Sequence, residues 1–491
     1  FSMKANLPEK EPKILDKWYK DNLYGKLRKS SKDKEKFILH DGPPYANGHL
    51  HMGHALNKIL KDVIIKYQQI SNKNSIYVPG WDCHGLPIEW KIEEQYRKKK
   101  LNKDDVPVLE FRKQCRDFAQ EWIEVQRKEF KRLGVIGDWD NPYTTMHYNS
   151  EAQIVRELGK FLENGGLYKG NRPVLWSVVE KTALADAEVE YQEHKSTTIY
   201  AKFPIAKTNL DKLNNHAIVI WTTTPWTIPG NRALAVHNEI KYVSLNIRRE
   251  NSNEDIIIAE GLVENFLKDN KILESNVNFS LTGNELLNTS CYHTLFKSGY
   301  DFIVPILHGD FVTTEQGTGI VHICPVHGMD DFILGKQHNL ELPMTIDEGG
   351  IYYEHIPVFA GKHIFKVDPE VCDEIEKCNN LISKGQLIHS YPHSWRSKAP
   401  LVYKNTSQWF ISMETNDLRK KALKAINETN FFPQQGQNRL KKMIEDRPDW
   451  CVSRQRVWGV PLPIFVNKKS GEPLRDPKVI ERIAKIYEAE G

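Results

Sequence analysis

The chain has 491 residues, of which 40% are apolar and 27% charged, a balance typical of a soluble globular protein of about three domains. No run approaches the roughly 18 apolar residues of a membrane span, so no membrane partner is expected. The net charge of +4 (68 basic minus 64 acidic residues) is too small to indicate nucleic-acid binding by itself.

The cysteines indicate a reducing compartment. There are seven, an odd number, spread from Cys83 to Cys451, which argues against a disulfide framework and predicts a cytoplasmic protein. No secretory signal is predicted, and Phe1-Ser2-Met3 has the character of an expression scar before a natural start, or of a trimmed end.

The first predicted unit joins a short buried strand at 37–40 to a helix that begins near His51. A helix N-terminus has unpaired N–H groups that suit a phosphate, and His51 and His54 lie on one helical face where both can donate to it. Gly53 removes a side chain between the backbone and a nucleotide. From these residues alone a polar surface turn stays an open alternative. The apolar residues at helical spacing are Leu56, Ile59, Leu60, Val63, Ile64 and Tyr67.

A second strand, predicted at 75–78, ends in the loop that contains Asp82. Helices are predicted at 108–134 and 150–164. Alternating strands and helices with polar loops at the strand ends favour a doubly wound parallel sheet. As an isolated residue, Asp82 could equally cap a turn.

The residue pattern changes near residue 188. Turn residues separate β-rich runs, which predicts a mostly β domain inserted into the first. Beyond residue 388 the chain is Trp-rich, with helices predicted at 418–427 and 438–446. The predicted domains are 1–187, 188–388 and 389–491. The expected strands are at 197–203, 217–221, 242–247, 256–259 and 319–323.

Three long motifs, at 41–54, 80–89 and 449–461, resemble those of class I aminoacyl-tRNA synthetases, most closely of the isoleucine branch. The resemblance covers essentially the whole chain. It implies a Rossmann-like nucleotide-binding domain interrupted by an inserted editing domain. The implied substrates and partners are ATP with Mg²⁺, L-isoleucine and tRNA(Ile), and the implied form is a monomer in the cytoplasm.

The same resemblance assigns roles around the adenylation site. His51, Gly53 and His54 would hold the ATP phosphates while the isoleucine carboxylate attacks the α-phosphate. The residues expected to bind the amino acid are Gly42, Pro43, Tyr45, Asp82 and Trp458. Asp82 would pair with the ammonium group, and Trp458 would face Pro43 across the aliphatic side chain. An ordinary core role for Trp458 stays open, as do valine or leucine specificity and a non-enzymatic RNA-binding paralogue.

A second site is implied in the inserted domain. Isoleucine and valine differ by one methylene, worth only about 1–3 kcal/mol of discrimination, a limit established on isoleucine enzymes themselves. The resemblance assigns hydrolysis of valyl-tRNA(Ile) to Thr222, Thr223, Thr224, His322 and Asp331. Asp331 would bind the ammonium group, with Asp330 as the competing candidate.

No metal site is expected. The set His322, Cys324 and His327 and the pair Cys372 and Cys378 lack the Cys-x-x-Cys spacing of structural zinc. On the stem, where some relatives carry such motifs, the residues are Ser177, Glu180, Ser394 and Ser397. The chain also lacks the family's second ATP motif, Lys-Met-Ser-Lys-Ser, and its anticodon-binding region. It is therefore expected to be a fragment without full aminoacylation activity.

Overall fold

A computed structural model describes residues 4–249 and 252–491, so the stretch Phe1-Ser2-Met3 lies outside the described residues. The predicted helices at 108–134, 150–164, 418–427 and 438–446 are confirmed within a few residues at each end. The helices are α1 Leu7–Lys20, α2 Leu23–Ser31, α3 Met52–Ile70, α4 Leu86–Lys98, α5 Val108–Arg132, α6 Tyr148–Glu163, α7 Val263–Asp269, α8 Gly283–Leu286, α9 Met329–Gln337, α10 Ile364–Lys377, α11 Leu418–Glu428, α12 Gln435–Glu445 and α13 Pro477–Glu490.

The strands likewise match the β-rich runs expected from the sequence. They are β1 Lys36–Ile38, β2 Asn74–Ile76, β3 Gly80–Trp81, β4 Tyr143–Thr144, β5 Leu167–Ser177, β6 Thr182–Ala183, β7 Val189–Lys207, β8 Ala217–Thr222, β9 Ala233–Val236, β10 Lys241–Arg249, β11 Ser252–Ala259, β12 Glu274–Thr282, β13 Ser290–Tyr292, β14 Ile303–His308, β15 Val321–Ile323, β16 Leu381–Ser394, β17 Val402–Ile411 and β18 Trp450–Cys451.

The chain divides into two compact units. The first comprises residues 1–168, 411–447 and 456–491, and the second comprises 169–410 and 448–455. The predicted domain limits at 187/188 and 388/389 stay a prediction. Most of strands β5, β6 and β17, which lie outside those limits, belongs to the second compact unit.

The first unit is α/β. Its strands form two short parallel pairs, β1 with β2 and β3 with β4. Helices α4 and α5 pack on them, and the buried cluster includes Trp81, Phe111, Ile123, Phe130 and Trp139. The described parallel strands form two pairs rather than one broad sheet.

Helix α3 buries its polar face, not its apolar one. Lys58, Asp62 and Ile65 are the buried residues, because Lys58 is paired with Asp41 beneath the helix. The predicted helix is confirmed, but its apolar stripe lies on the exposed side of this unit. The exposed residues are Met52, Leu56, Ile59, Leu60, Val63, Ile64, Tyr67 and Ile70.

The second unit is mostly β. A ten-stranded sheet has the order β12-β10-β11-β8-β7-β13-β14-β9-β15, with β16 paired to β7, and a smaller sheet has the order β18-β17-β5-β6. The antiparallel pair of β7 and β16 runs from Ala201↔Leu381 to Val189↔Ser394 and forms a two-stranded stem. The predicted fold class, an α/β domain interrupted by an inserted, mostly β domain, is confirmed. Across residues 4–249 and 252–491 no helix is both long and apolar enough to cross a membrane.

Candidate functional site

The first turn of α3 is capped by two histidines. His51 is the N-cap residue, and its Nδ1 accepts a hydrogen bond from the Gly53 N–H at 3.0 Å. His54 Nδ1 accepts from the His51 N–H at 3.3 Å, and the two rings stack with centroids 3.8 Å apart. The imidazoles thus satisfy two of the donors that a helix start leaves unpaired.

This cap fixes the tautomers of both rings. Because each Nδ1 accepts, each neutral imidazole carries its proton on Nε2, which the cap does not use. Burial, followed by the charges of His51 and Lys58, lowers the pKa of His54, so that ring is neutral near pH 7. A Cβ at Gly53 would lie 2.9 Å from the His51 ring, which explains the glycine between the histidines. The cap therefore leaves the Nε2–H groups of both rings free to donate to an anion at the helix start.

Asp41 anchors the loop that precedes this helix. Its carboxylate pairs with Lys58 and with Lys61 (2.5 Å), and it accepts hydrogen bonds from the Tyr77 hydroxyl at 3.0 Å and the Gly80 N–H at 3.1 Å. Burial alone would raise the pKa of Asp41, but the charges and hydrogen bonds of Lys58 and Lys61 outweigh it and lower the pKa. Asp41, the neighbour of Gly42 in the chain, thereby links the loop after β1 to helix α3 and to the first residue of β3.

The loop after β1 and the loop after β3 meet at a parallel bridge between Tyr45 and Asp82. The Ala46 N–H donates to the Asp82 carbonyl at 3.0 Å, and the Asp82 N–H donates to the Pro44 carbonyl at 2.9 Å. A Cβ on Gly80 would lie 3.1 Å from the Tyr143 ring, a tight contact, and 3.4 Å from Pro43, so this part of the site is closely packed. The structure therefore places Tyr45 and Asp82 side by side in neighbouring loops, while the binding of the amino acid by Gly42, Pro43, Tyr45 and Asp82 stays a prediction.

The Asp82 carboxyl group is partly buried, and burial raises its pKa against the opposing hydrogen bonds of His84 and Thr145. A carboxylate in such surroundings is stabilised by any cation that arrives beside it. The chemistry of this position suits an ammonium group.

Trp458 joins the same region from far along the chain. Its indole Nε1–H donates to the Cys83 carbonyl at 2.6 Å, and its ring centroid lies 5.0 Å from that of His84. The side chain is 1% exposed and belongs to the buried cluster with Ala46, Trp81 and Cys83. Trp458 is therefore a core residue, the alternative that the sequence left open, and it lies next to the loop that contains Asp82.

In the second unit, the end of β8 leads into a short 3-10 turn at Pro225–Gly230 lined with threonines. The Thr224 hydroxyl lies 3.2 Å from that of Thr222 and 3.4 Å from that of Thr227. Thr223 is partly buried and makes no side-chain hydrogen bond within the described part of the chain. Its hydroxyl is thus the one in this cluster that remains available to a ligand.

His322 on β15 faces this threonine turn. Its Nε2 lies 3.0 Å from the Thr227 hydroxyl, and its Nδ1 lies 3.5 Å from the Asn231 amide nitrogen. Burial, followed by the charge of His327, lowers the pKa of His322 to about 4, so the ring is neutral at pH 7. With Asn231 donating to Nδ1, the Nε2–H donates to Thr227, whose own proton goes to the Thr224 carbonyl at 2.8 Å. The ring is better arranged to position groups than to accept a proton.

Asp331 and Asp330 lie in the first turn of α9 and differ in exposure. Asp331 is partly buried and accepts a hydrogen bond from the Cys324 N–H at 2.7 Å, whereas Asp330 is exposed. Burial raises the pKa of Asp331 to about 6 despite that hydrogen bond. An anchored, desolvated carboxylate favours Asp331 over Asp330 as the ammonium ligand.

The positions that carry thiols in some relatives form a hydrogen-bonded cluster here. Buried Glu180 accepts from the Ser394 hydroxyl at 2.7 Å and from the Ser397 N–H at 3.0 Å, and its own N–H donates to the Ser177 hydroxyl at 3.1 Å. Among residues 4–249 and 252–491, no group of three His, Cys, Asp or Glu side chains is placed to hold a metal ion. The expected absence of zinc stays a prediction.

Several residues of these sites were missed by sequence reasoning. Gln126 and Glu129 of α5 and Glu89 of α4 hold the loops of the first site, and Thr227 and Asn231 hold His322 in the second. One signal was present for Gln126. It occupies a core position of α5, in register with Phe111, Cys115, Ala119, Ile123 and Phe130, where a polar residue must have buried partners.

The chain matches the family model described as class I tRNA synthetases (I, L, M and V) over residues 13–491. It is similar to the isoleucine–tRNA ligases of Pelagibacter ubique (strain HTCC1062; 59% identity) and Gluconobacter oxydans (strain 621H; 48%). Each match covers 100% of this chain and, respectively, 54% and 53% of the relative. The chain thus spans about half the length of these curated relatives. These matches confirm the resemblance seen in the motifs.

Among solved structures, the chain is similar to the ternary complex of Agrobacterium radiobacter K84 agnB2 LeuRS, tRNA and LeuAMS. The identity is 15% and the TM-score 0.39, and the match covers 97% of this chain and 53% of that one. A TM-score this low supports no inference about site or ligand.

Proposed function

The chain belongs to the class I tRNA synthetases of the isoleucine, leucine, methionine and valine group, and on that premise we propose that the protein containing it ligates L-isoleucine to tRNA(Ile) through an isoleucyl-adenylate. The observation that carries the proposal is the hydrogen-bonded Tyr45–Asp82 bridge beside a helix capped by His51 and His54. Asp82 would supply a site for a cation and the helix start a site for an anion within one unit, as an amino acid and ATP require.

In the first step the isoleucine carboxylate attacks the α-phosphate of ATP, and pyrophosphate leaves. The outward Nε2–H groups of His51 and His54 would donate to the phosphate oxygens, and Gly53 would let them approach the helix start. Mg²⁺ would enter on the ATP phosphates, which is its usual mode of binding. Catalysis in this step is positioning and charge stabilisation.

The amino acid would lie between the two loops. Asp82 would pair with its ammonium group, and Gly42, Pro43 and Tyr45 would line the approach to the carboxylate. Trp458 would meet the aliphatic side chain from the side opposite Pro43. In the second step a ribose hydroxyl of the tRNA attacks the acyl carbon, and AMP leaves.

The test is ATP–pyrophosphate exchange by the full-length protein with isoleucine, valine and leucine in parallel. We expect the highest kcat/KM with isoleucine. A preference for valine or leucine would assign the protein to a sister branch. ATP binding without exchange for any of the three would instead indicate an RNA-binding or regulatory paralogue.

A second activity is supported by the Thr222–Thr227 turn, His322 and Asp331. We infer that the β-rich unit hydrolyses valyl-tRNA(Ile): Asp331 binds the ammonium, Thr223 and its neighbours orient a water and the ribose, and water attacks the ester carbon, releasing valine and tRNA. No protein nucleophile is needed. Deacylation of valyl-tRNA(Ile) by Thr223→Ala and Asp331→Ala tests this, and unchanged rates in both variants would remove the role from these residues.

We further infer a monomeric, cytoplasmic protein that needs no zinc. All seven cysteines are free, and six of them are buried, which suits a reducing compartment. Size-exclusion chromatography with light scattering and metal analysis of the purified protein test the first and last of these statements.

A further inference from the structure

The segment from Tyr45 to Leu50 runs directly into the His51 cap, and helix α5 holds both of its ends. We call residues 45–50 the nucleotide loop. Gln126 of α5 donates from Nε2 to the Tyr45 carbonyl at 3.0 Å and to the Gly48 carbonyl at 2.7 Å. Its Oε1 accepts from the Trp81 indole at 2.9 Å. Every polar atom of this fully buried amide is therefore used.

Glu129, one turn further along α5, holds the other end of the nucleotide loop. Its Oε2 accepts from the Leu50 N–H at 3.0 Å, and its Oε1 lies 2.6 Å from His49 Nδ1. Residues three apart on a helix share a face, so Gln126 and Glu129 act on the loop from the same side. The last residue they fix, Leu50, is adjacent to His51.

Apolar packing holds the two ends of the loop, since Ala46 is buried in the core cluster and Leu50 packs against that cluster. The stretch between them is less packed. Asn47 and Gly48 are partly exposed and His49 is exposed, so apolar burial does not fix their backbone. A stretch held by few apolar contacts depends on its hydrogen bonds for a single conformation. The Asp82 and Pro87 carbonyls accept from Ala46 and Asn47, respectively. The bonds at Gly48, His49 and Leu50 come from two side chains of α5.

We propose that Gln126 and Glu129 are positioning residues that set the nucleotide loop, and through it the His51 cap, for ATP; this rests on the proposed function. Their hydrogen bonds go to the loop and to Trp81. Both act by holding carbonyls and N–H groups of the loop that leads to the two histidines. A small misplacement of such a loop is costly because the donors must meet the phosphate oxygens.

The test uses the full-length protein and four variants. Gln126→Glu keeps the acceptor for Trp81 but loses both donors to the loop. Glu129→Ala removes the acceptor for Leu50, while Glu129→Gln keeps one oxygen for it. Gln120→Met is the matched control, because Gln120 is exposed on the same helix and bonds only to Glu124, at 3.2 Å.

The Kd for ATP is measured by calorimetry without isoleucine, and the KM values for ATP and isoleucine by pyrophosphate exchange. We expect Gln126→Glu and Glu129→Ala to raise the Kd and KM for ATP about tenfold, because only a fraction of the molecules would then hold the loop in the conformation that binds ATP. The KM for isoleucine should change much less. Glu129→Gln should restore most of the ATP affinity, and Gln120→Met should resemble wild type.

Several outcomes would overturn the proposal. One is an equal rise in the KM for ATP and isoleucine in both impaired variants. Another is an unchanged Kd for ATP in Glu129→Ala, which remains informative if Gln126→Glu fails to fold. Wild-type protein that binds ATP but shows no amino-acid-dependent exchange would overturn the proposed function alone, since the ATP affinities of the variants still decide the positioning role.

Discussion

His51 and His54 face each other across the first turn of α3 with ring centroids 3.8 Å apart, and each uses Nδ1 to accept a backbone N–H. The pair is a helix cap and a prospective phosphate site at once. These two functions are separable by substitution, because the cap uses Nδ1 and a phosphate would meet Nε2.

His51→Asn should separate them. Asparagine is a preferred N-cap residue, so the free energy of unfolding should stay within about 1 kcal/mol of wild type. The Nε2–H donor is lost, and the amide N–H that asparagine offers lies one bond closer to the backbone. The exchange rate kcat should therefore fall about 100-fold, the scale seen when one stabilising donor is removed. Urea unfolding and pyrophosphate exchange measure the two effects. A comparable loss of stability with intact exchange would assign His51 to capping alone.

Asp82→Ala should weaken isoleucine binding far more than ATP binding. Its partly buried carboxylate would lose an ammonium partner, and a hydrogen bond to a charged group is worth about 1.5–3 kcal/mol, or roughly 10- to 150-fold in Kd. Calorimetric titration with each ligand separately is the measurement. If both affinities fell equally, the assignment of Asp82 to the ammonium would be wrong.

Glu89→Gln should destabilise the first unit. Glu89 is 0% exposed, pairs with Arg456 at 2.8 Å and accepts the N–H groups of Val457 and Trp458 at 3.0 Å. Neutralising one partner of a buried pair leaves the other charge poorly compensated, so the free energy of unfolding should fall by about 2–3 kcal/mol. Urea unfolding followed by tryptophan fluorescence checks this.

The matched control is Glu93→Gln. Glu93 is also buried and contacts Arg456 at 3.3 Å and Arg97 at 2.6 Å, but it accepts no N–H from the Trp458 segment. Its neutralisation should cost less than that of Glu89, because no backbone N–H loses its acceptor. Equal effects of the two substitutions would show that the backbone hydrogen bonds to Glu89 contribute little.

The elements of the first site were predictable because their signals are local. A strand near 37–40 and a helix start at His51 follow from local spacing. The expectation that this strand is buried was wrong, since β1 has exposed side chains at Lys36 and Ile38. The fold class followed from the alternation of elements. The exposed apolar stripe of α3 did not, since which face of a helix is buried depends on the partners packed against it, here the Asp41–Lys58 pair.

Contacts between distant parts of the chain were the ones missed. Trp458 N–H bonds to Glu89, 369 residues earlier, and nothing in either segment alone reveals that pairing. Thr227 and Asn231 follow closely on Thr222, Thr223 and Thr224 along the chain, yet their bonds to His322 needed the register of β9 and β15, which places His322 opposite Leu234. Register is set by tertiary packing rather than by spacing.

His322→Ala should let the second site accept isoleucyl-tRNA(Ile). Strand alternation puts Val321 and Ile323 in the apolar cluster on one face and the His322 ring on the other, against the threonine turn. Removing the ring opens space there for the extra methylene. Deacylation of valyl and isoleucyl esters is measured on the same variant. Loss of valyl hydrolysis without a gain of isoleucyl hydrolysis would show that the ring positions groups and does not select by size.

The rate of valyl-tRNA(Ile) hydrolysis should fall in mild acid, because Asp331 then becomes protonated. Burial raises the pKa of Asp331 to about 6, and only the ionised carboxylate pairs with the ammonium of the ester. The value of kcat/KM reports the free enzyme, so it should fall about tenfold per pH unit below 6. His322, with its pKa lowered to about 4, stays neutral over this range and adds no step.

Asp331→Asn and Asp330→Asn decide whether Asp331 is the titrating group. The first should lower hydrolysis at pH 8 and abolish the acid limb, and the second should keep both, since Asp330 is exposed. Folding gives a separate readout. A carboxyl group whose pKa is raised on folding destabilises the folded state once pH exceeds that pKa, so Asp331→Asn should leave the urea midpoint at pH 8 unchanged or higher. An acid limb that persists in Asp331→Asn would place the titration elsewhere.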